Sequence, residues 1–244
     1  MRIEVLYPEI CCLFGAKAKM RYFEMCLPDA EFIKTPVSEQ PLFLTEDVDM
    51  VYFGSCSESN QERILSRLMP FKERVKELID NGVIFLMTGN SFEIMGKYIA
   101  KPDGEKIEGL GLVDFYSERT IPKRNNSLFL GKFKDMDIVG YTSRFSNSFD
   151  IKKEDSLFSV TKGYGSYIDG KTEGIVKNNL FGTYLLGPFL IQNPLFTEYL
   201  MKLLGVENPQ LAFKDDIMKA YKVRLEEFNK DIIFFHGITL LLFL

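Results

Sequence analysis

The run VIFLM at 83–87 constrains this chain more than any other five residues. It is apolar at every position, and it is bracketed by Asn81-Gly82 before it and by Gly89, Asn90 and Ser91 after it. A strand with one wet face alternates with period two, so an unbroken apolar strand implies burial on both faces, as in a parallel sheet covered by helices. The residues ahead of it agree, because Ile64, Leu68, Phe71, Val75 and Leu78 recur at steps of four and three and so define one helix face. Pro70 falls inside that pattern and, lacking a backbone N–H, is expected to kink or restart the helix. Asn81-Gly82 supplies its stop.

Further strands are expected over 2–7, 31–37 and 50–54, which with 83–88 and the intervening helical patterns predict an α/β domain with a mostly parallel sheet. After the central strand, Gly89, Asn90 and Ser91 turn the chain into a predicted short helix with Phe92, Ile94, Met95 and Ile99 inward. From 109 to about 163 short segments separated by turns predict an antiparallel extension, and 174–188 reads as another strand pair. Helices are expected over 194–204 and 210–229. In the second, Ile217, Tyr221, Leu225 and Phe228 share one face, and the plainer reading of that stripe is core packing. The expected division is one domain over 1–205, a C-terminal helix over 206–230, and a hydrophobic tail over 231–244. That tail, DIIFFHGITLLLFL, is shorter than the roughly 20 residues that span a bilayer, so no membrane span is expected. A packing strand, a weak membrane or partner contact, or an atypical C-terminal reading frame all fit it.

Composition excludes several functional classes. The 244 residues are 46% hydrophobic, enough for a full core, and carry 30 Lys+Arg against 34 Asp+Glu for a formal charge of -4. No dense basic stripe is present, so nucleic-acid binding is not expected. The N-terminal MRIEVLY enters a strand without the succession of a signal peptide, which predicts a cytoplasmic protein. Cys11, Cys12, Cys26 and Cys56 have neither CxxC spacing nor histidine neighbours, so they read as reduced thiols and no metal site is expected. The single histidine, His236, lies in the tail. The Gly109-Leu110-Gly111 and Gly163-Tyr164-Gly165 pairs open no helix of a βαβ unit, and GxxxxGK[ST] is absent. No cofactor is expected, and any use of ATP falls to a partner.

The stretches YFGSCSESNQERI (52–64), FLMTGNSFEIMGKYI (85–99), KPDGEKIEGLGLVDFYSER (101–119) and VTKGYGSYIDGKTEGIVKNNLFGTYLLGP (160–188) resemble class I glutamine amidotransferase domains of the cobyric acid synthase type. Within that group the likeness is greatest to the glutamine amidotransferase subunits of lipid II isoglutaminyl synthases. It covers roughly 2–205. The resemblance implies a flavodoxin-like α/β fold and a cysteine nucleophile at the strand-to-helix elbow. It also implies a histidine that manages the proton, backbone N–H groups for the oxyanion, and ammonia passed to a Mur-ligase-like synthetase partner.

Two departures fall on that chemistry. Alignment through Phe92, Met95, Gly96 and Lys97 puts Gly89 at the nucleophile position, and alignment of GTYLLGP puts Leu186 at the histidine position. Gly182, Thr183, Tyr184, Gly187 and Pro188 remain family-like. The expectation is a glutamine amidotransferase-like subunit without the usual glutaminase chemistry, a pseudoenzyme that binds or regulates a synthetase. Gly54, Ser55, Cys56, Asn90, Ser91 and Arg124 are expected to line a vestigial pocket that could still hold glutamine. The rival expectation is an active amidotransferase with its nucleophile displaced to Cys56, Thr88 or Ser91. The plainer reading makes Cys56 a small buried residue and Thr88 and Ser91 turn residues. Glu93 and Glu58 could be taken as a carboxylate pair, but Glu93 is better placed to complement a helix dipole. Lys123 or Arg124 matches the region where the family contacts the glutamine α-carboxylate, and a solvated loop fits them equally.

Overall fold

The structure, a computed structural model, describes residues 1–230, so the hydrophobic tail and His236 lie outside the described residues. The chain runs through β1 (Arg2–Leu6), α1 (Ala16–Cys26), β2 (Glu31–Thr35), β3 (Met50–Phe53), α2 (Glu58–Leu68), α3 (Lys72–Asp80) and β4 (Ile84–Thr88). It continues through β5 (Tyr98–Ala100), β6 (Lys106–Glu108), β7 (Tyr116–Arg119), β8 (Asn125–Phe133), β9 (Met136–Arg144), β10 (Ser146–Phe149), β11 (Ser156–Lys162), β12 (Thr172–Lys177) and β13 (Leu180–Thr183). Helices α4 (Phe189–Gln192), α5 (Pro194–Leu203) and α6 (Lys214–Asn229) follow.

The large sheet has the order β2-β1-β3-β4-β13-β12-β11-β8-β9. Strands β2, β1, β3, β4 and β13 are parallel, and the remaining four form an antiparallel extension. All five residues of β4 are buried, as the VIFLM run requires. Its side chains divide between two cores: Ile84 and Leu86 pack with α1, α4 and α5, whereas Phe85 and Met87 pack with α2 and α3. Alternation exists along this strand, but both of its faces are dry.

Pro70 sits in a single 3-10 turn between α2 and α3, where it restarts the helix. Ser57 caps α2 by accepting from the Asn60 N–H at 3.3 Å. On α6, Ile217, Tyr221 and Phe228 are buried and Leu225 packs beside them, so the stripe is core.

Two expectations are corrected. The segment after β4 is a 3-10 stretch, Gly89–Met95, buried at every residue, and Ile99 lies in β5 instead of on a helix. The cause is a close crossing at two glycines. A Cβ on Gly96 would meet the Phe115 carbonyl at 2.9 Å, and one on Gly109 would meet the Gly96 carbonyl at 2.1 Å. With the chain pinned there, further helical turns have no room. The second correction concerns 109–149. Only part of this region extends the large sheet, because β7 and β10 join β5 and β6 in a separate sheet of order β10-β7-β5-β6. Cross-strand ring stacking holds it, with Tyr98 on Tyr116 at 5.0 Å and Tyr116 on Phe149 at 5.6 Å between centroids.

Candidate functional site

Parallel strands of an open α/β sheet present their carboxyl ends as a crevice, and loops leaving those ends are where ligands meet such folds. Here the loops after β1, β3, β4 and β13 converge. The elbow after β4 turns at Gly89, whose φ of +70° lies in the left-handed region. A residue with a Cβ is strained there, whereas glycine adopts it freely.

Gly89 also lacks space around it. A Cβ added at this position would lie 2.3 Å from the Ser55 Cβ, 3.2 Å from the Ser55 Cα and 3.1 Å from the Leu186 Cδ2. Ser55 is 2% and Leu186 2% exposed, so the three residues form a closed contact in place of a cleft. Ser55 is fixed from behind: its Oγ donates to the Leu13 carbonyl at 2.8 Å, and its own carbonyl accepts from the Leu13 N–H at 3.1 Å. Gly54 allows this approach, since a Cβ there would meet the Cys11 carbonyl at 2.1 Å. Leu186 is held by its N–H donating to the Tyr141 carbonyl at 3.0 Å.

The other expected residues take up inward hydrogen bonds. The Asn90 Oδ1 accepts from the Cys56 N–H at 3.2 Å, which occupies a backbone donor beside the elbow. The Cys56 thiol is buried and is pushed well above its ordinary pKa by the hydrogen-bonding Cys11 thiol and by burial, the reverse of the lowered value that makes a thiolate nucleophile. Ser91 Oγ donates to the Thr88 carbonyl at 3.0 Å. Thr88 Oγ1 accepts from the Lys19 Nζ at 2.8 Å. Arg124 lies at the rim, exposed, with its guanidinium 3.9 Å over the Phe145 ring and 5.8 Å over the Phe14 ring. Lys123 is exposed in the adjoining loop, where its carbonyl accepts from the Thr120 hydroxyl.

Glu93 does not complement a helix dipole as expected. It is 1% exposed and accepts from Gln61 Nε2 at 2.7 Å, from Tyr184 OH at 2.8 Å, and from Ser146 Oγ. Burial raises its pKa, and those donors act against the rise. Glu58 sits apart, in the first turn of α2.

Sequence reasoning missed most of this polar layer. Gln61, Ser146, Arg119, Arg144 and Glu173 have no shared local pattern, being joined only by the fold. Glu173 accepts from Thr183 Oγ1 and the Tyr184 N–H, both at 2.7 Å, and burial pushes its carboxyl up to about 7. Arg144 stacks 4.1 Å over the Tyr184 ring and donates to the Ser146 and Gly165 carbonyls. Lys19 was missed as well. It is fully buried, and burial draws its ammonium down to about 7. Its position in the helix sequence AKAKMRYFEMC distinguishes it from exposed Lys17 only through the period of α1. Among the described residues no group of three His, Cys, Asp or Glu side chains could hold a metal ion, and no helix is long and apolar enough to cross a membrane.

An open, mostly parallel α/β sheet with a left-handed elbow after its central strand defines a class, and comparison with known proteins places the chain within it. Residues 9–194 match the model of the CobB/CobQ-like glutamine amidotransferase domain, and the chain belongs to that family. It is 32% identical over 157 residues to the lipid II isoglutaminyl synthase (glutamine-hydrolyzing) subunit GatD of Staphylococcus aureus, covering 64% of each chain. The likeness to the GatD subunit of Streptococcus pneumoniae is 29% over 181 residues, covering 70% of this chain and 68% of that one. The chain thus spans a little under two thirds of the length of the first of these relatives. Among solved structures, a glutamine amidotransferase from Thermotoga maritima aligns with a TM-score of 0.49 at 14% identity, covering 95% of this chain and 86% of that chain.

Proposed function

We propose that this chain is a glutamine amidotransferase-like subunit that does not hydrolyse glutamine and instead acts as a binding or regulatory partner of a Mur-ligase-like synthetase. The observation that carries the reading is the closed contact of Gly89, Ser55 and Leu186. Glutamine hydrolysis by this family's route needs a thiol at the elbow, an imidazole facing it and room for a tetrahedral intermediate. Gly89 and Leu186 stand at the two reactive positions, and Ser55 fills the room.

The relatives support a partner, since both are named as subunits of a lipid II isoglutaminyl synthase. A chain that keeps the scaffold without the chemistry retains its use through what it touches. A displaced nucleophile is disfavoured by the same geometry. Cys56 is buried with its proton held, Thr88 and Ser91 point inward, and the chain's single histidine is His236 in the tail.

Ammonia release from glutamine tests the reading. The natural chain, alone and with the synthetase, releases none above background. Gly89→Cys/Leu186→His also stays inactive, because the new Cβ meets Ser55, whereas adding Ser55→Gly opens the space and brings measurable turnover. Turnover by the natural chain that disappears on Cys56→Ala would establish the displaced nucleophile instead.

A further inference from the structure

Glutamine chemistry, present or lost, makes no use of Cys11, yet the fold sets this thiol against that of Cys56. Cys11 follows β1 and Cys56 follows β3, 45 residues apart in sequence. Their segments are joined by an isolated antiparallel bridge between Leu13 and Ser55. At Gly54 the approach is so close that a Cβ would lie 2.1 Å from the Cys11 carbonyl oxygen. Antiparallel neighbours bring opposed Cα atoms to about 4.5–5.5 Å, inside the range of roughly 4.4–6.8 Å that a disulfide spans. The two thiols share a hydrogen bond, and both belong to one buried cluster.

The pair is not symmetric. Cys11 is 3% exposed but lines a cavity of about 410 Å³ whose walls also include Val5, Pro8, Met20 and Tyr52. Cys56, 4% exposed, is not among those walls, and its Sγ donates to Asn90 Oδ1 at 3.7 Å. A small oxidant entering the cavity therefore reaches Cys11 first. The other two cysteines are engaged elsewhere. Cys12 donates to the Glu9 carbonyl at 3.5 Å, and the Cys26 sulfur accepts from the Ala212 N–H at 3.4 Å.

We propose that Cys11 and Cys56 form a reversible redox pair, in which a hydroperoxide entering the cavity oxidises Cys11 and Cys56 then closes a disulfide. The Cys11 sulfur attacks a peroxide oxygen, the O–O bond breaks, one water leaves, and a sulfenic acid remains on Cys11. The Cys56 sulfur then attacks the Cys11 sulfur, the S–O bond breaks, and the hydroxyl departs with the Cys56 proton as a second water. Two electrons pass from the sulfurs to one peroxide, and an external dithiol restores both thiols by exchange. The order suits the site, because Cys56 is the thiol whose proton is held, by Cys11 and by burial, and a protonated thiol is a poor first nucleophile. The bond would tie the loop after β1 to the loop after β3, which carries Ser55 against Gly89. The pair would act in this way whether or not a synthetase binds the chain.

The test treats the reduced full chain with hydrogen peroxide under native conditions, blocks the remaining thiols after denaturation and maps the peptides by mass spectrometry. Cys56 should be found linked to the peptide that holds both Cys11 and Cys12. Cys12→Ala should form the same link, which assigns it to Cys11. In Cys56→Ala, dimedone should trap a sulfenic acid on Cys11. The link should raise the unfolding midpoint by roughly 5–10 °C, an increase that dithiothreitol removes. Loss of the link in Cys12→Ala gives the bond to Cys12 and overturns the proposal. Free thiols at Cys11 and Cys56 after Cys12 has been oxidised overturn it as well, since the oxidant was then active and the pair inert. Sulfinic acid on Cys11 of the natural chain, with no link to Cys56, is the third overturning result.

Discussion

Two layers of this molecule lie next to each other and differ in kind. At the elbow, Gly89, Ser55 and Leu186 meet through carbon atoms, with no group able to attack, donate or accept at their point of contact. Behind it, Glu93, Gln61, Tyr184 and Ser146 form a layer in which a fully buried carboxylate is met by three donors. The difference teaches that a polar layer beside a reactive site can be architecture. Burying a carboxylate is costly unless donors surround it, and once they do, removing any member strands the others. The elbow makes no such demand on its neighbours.

The largest expected effect comes from breaking the layer. Glu93→Ala removes the shared acceptor of three buried hydrogen bonds, each worth roughly 1–3 kcal/mol, although Gln61 Nε2 keeps the Asn90 carbonyl and Tyr184 OH keeps Ser148 Oγ as partners. A loss on the order of 5 kcal/mol in urea unfolding is expected, and a loss below about 1 kcal/mol would mean the layer is dispensable. Lys19→Met should act in the opposite direction. The lysine is lowered in the folded state to about 7, from an ordinary value of 10.5. The unfolded chain therefore binds more protons between those values, and stability rises with pH across that window. At pH 7 and below, the buried amine costs on the order of 4 kcal/mol. The methionine variant should be more stable at pH 7 and lose the slope between pH 7 and 10, both read from denaturant midpoints measured across that range.

The contact at the elbow can be sharpened by a double-mutant cycle. Gly89→Ala meets both the left-handed φ and the Ser55 Cβ and should cost roughly 2–4 kcal/mol. In a Ser55→Gly background the Cβ clash is gone, and the backbone strain, about 1–2 kcal/mol, should remain together with the tight approaches to the Cα at 55 and the Leu186 Cδ2. Additive costs would show that the two residues do not touch. The smallest effect belongs to the surface. Arg124→Ala should alter stability by no more than about 0.5 kcal/mol, because the side chain is exposed and makes one hydrogen bond. A larger loss by thermal unfolding would make the arginine part of the fold.

Much of the architecture was legible in one dimension because its causes are local. The VIFLM run required burial on both faces, and β4 has it. Pro70 restarted its helix for want of an N–H, and the Ile217, Tyr221 and Phe228 stripe became core through the 3.6-residue period. The strand pair around GTYLLGP is β12 with β13. Local pattern failed where distant chain segments compete for the same space. Nothing within 89–99 announces that Gly96 must pass Gly109 and Phe115, and that crossing replaced the expected helix by a 3-10 stretch and a strand. The second sheet escaped for a related reason: β5 pairs in parallel with β7, an arrangement that no hairpin spacing encodes.

For the site, the sequence alone determined what Gly89 and Leu186 can offer. Glycine has no side chain and leucine no proton to move, whatever the fold around Gly89 and Leu186. The tertiary structure decided what surrounds the two residues. Ser55 reaches Gly89 across 34 residues of chain because β3 and β4 are hydrogen-bonded neighbours whose carboxyl ends release both loops at one level. Lys19 reaches Thr88 across 69 residues because α1 packs on the face of the sheet to which Thr88 points. Close contact between remote residues is a property of strand order and register. Those are set by the packing of the whole sheet, and no local spacing contains them.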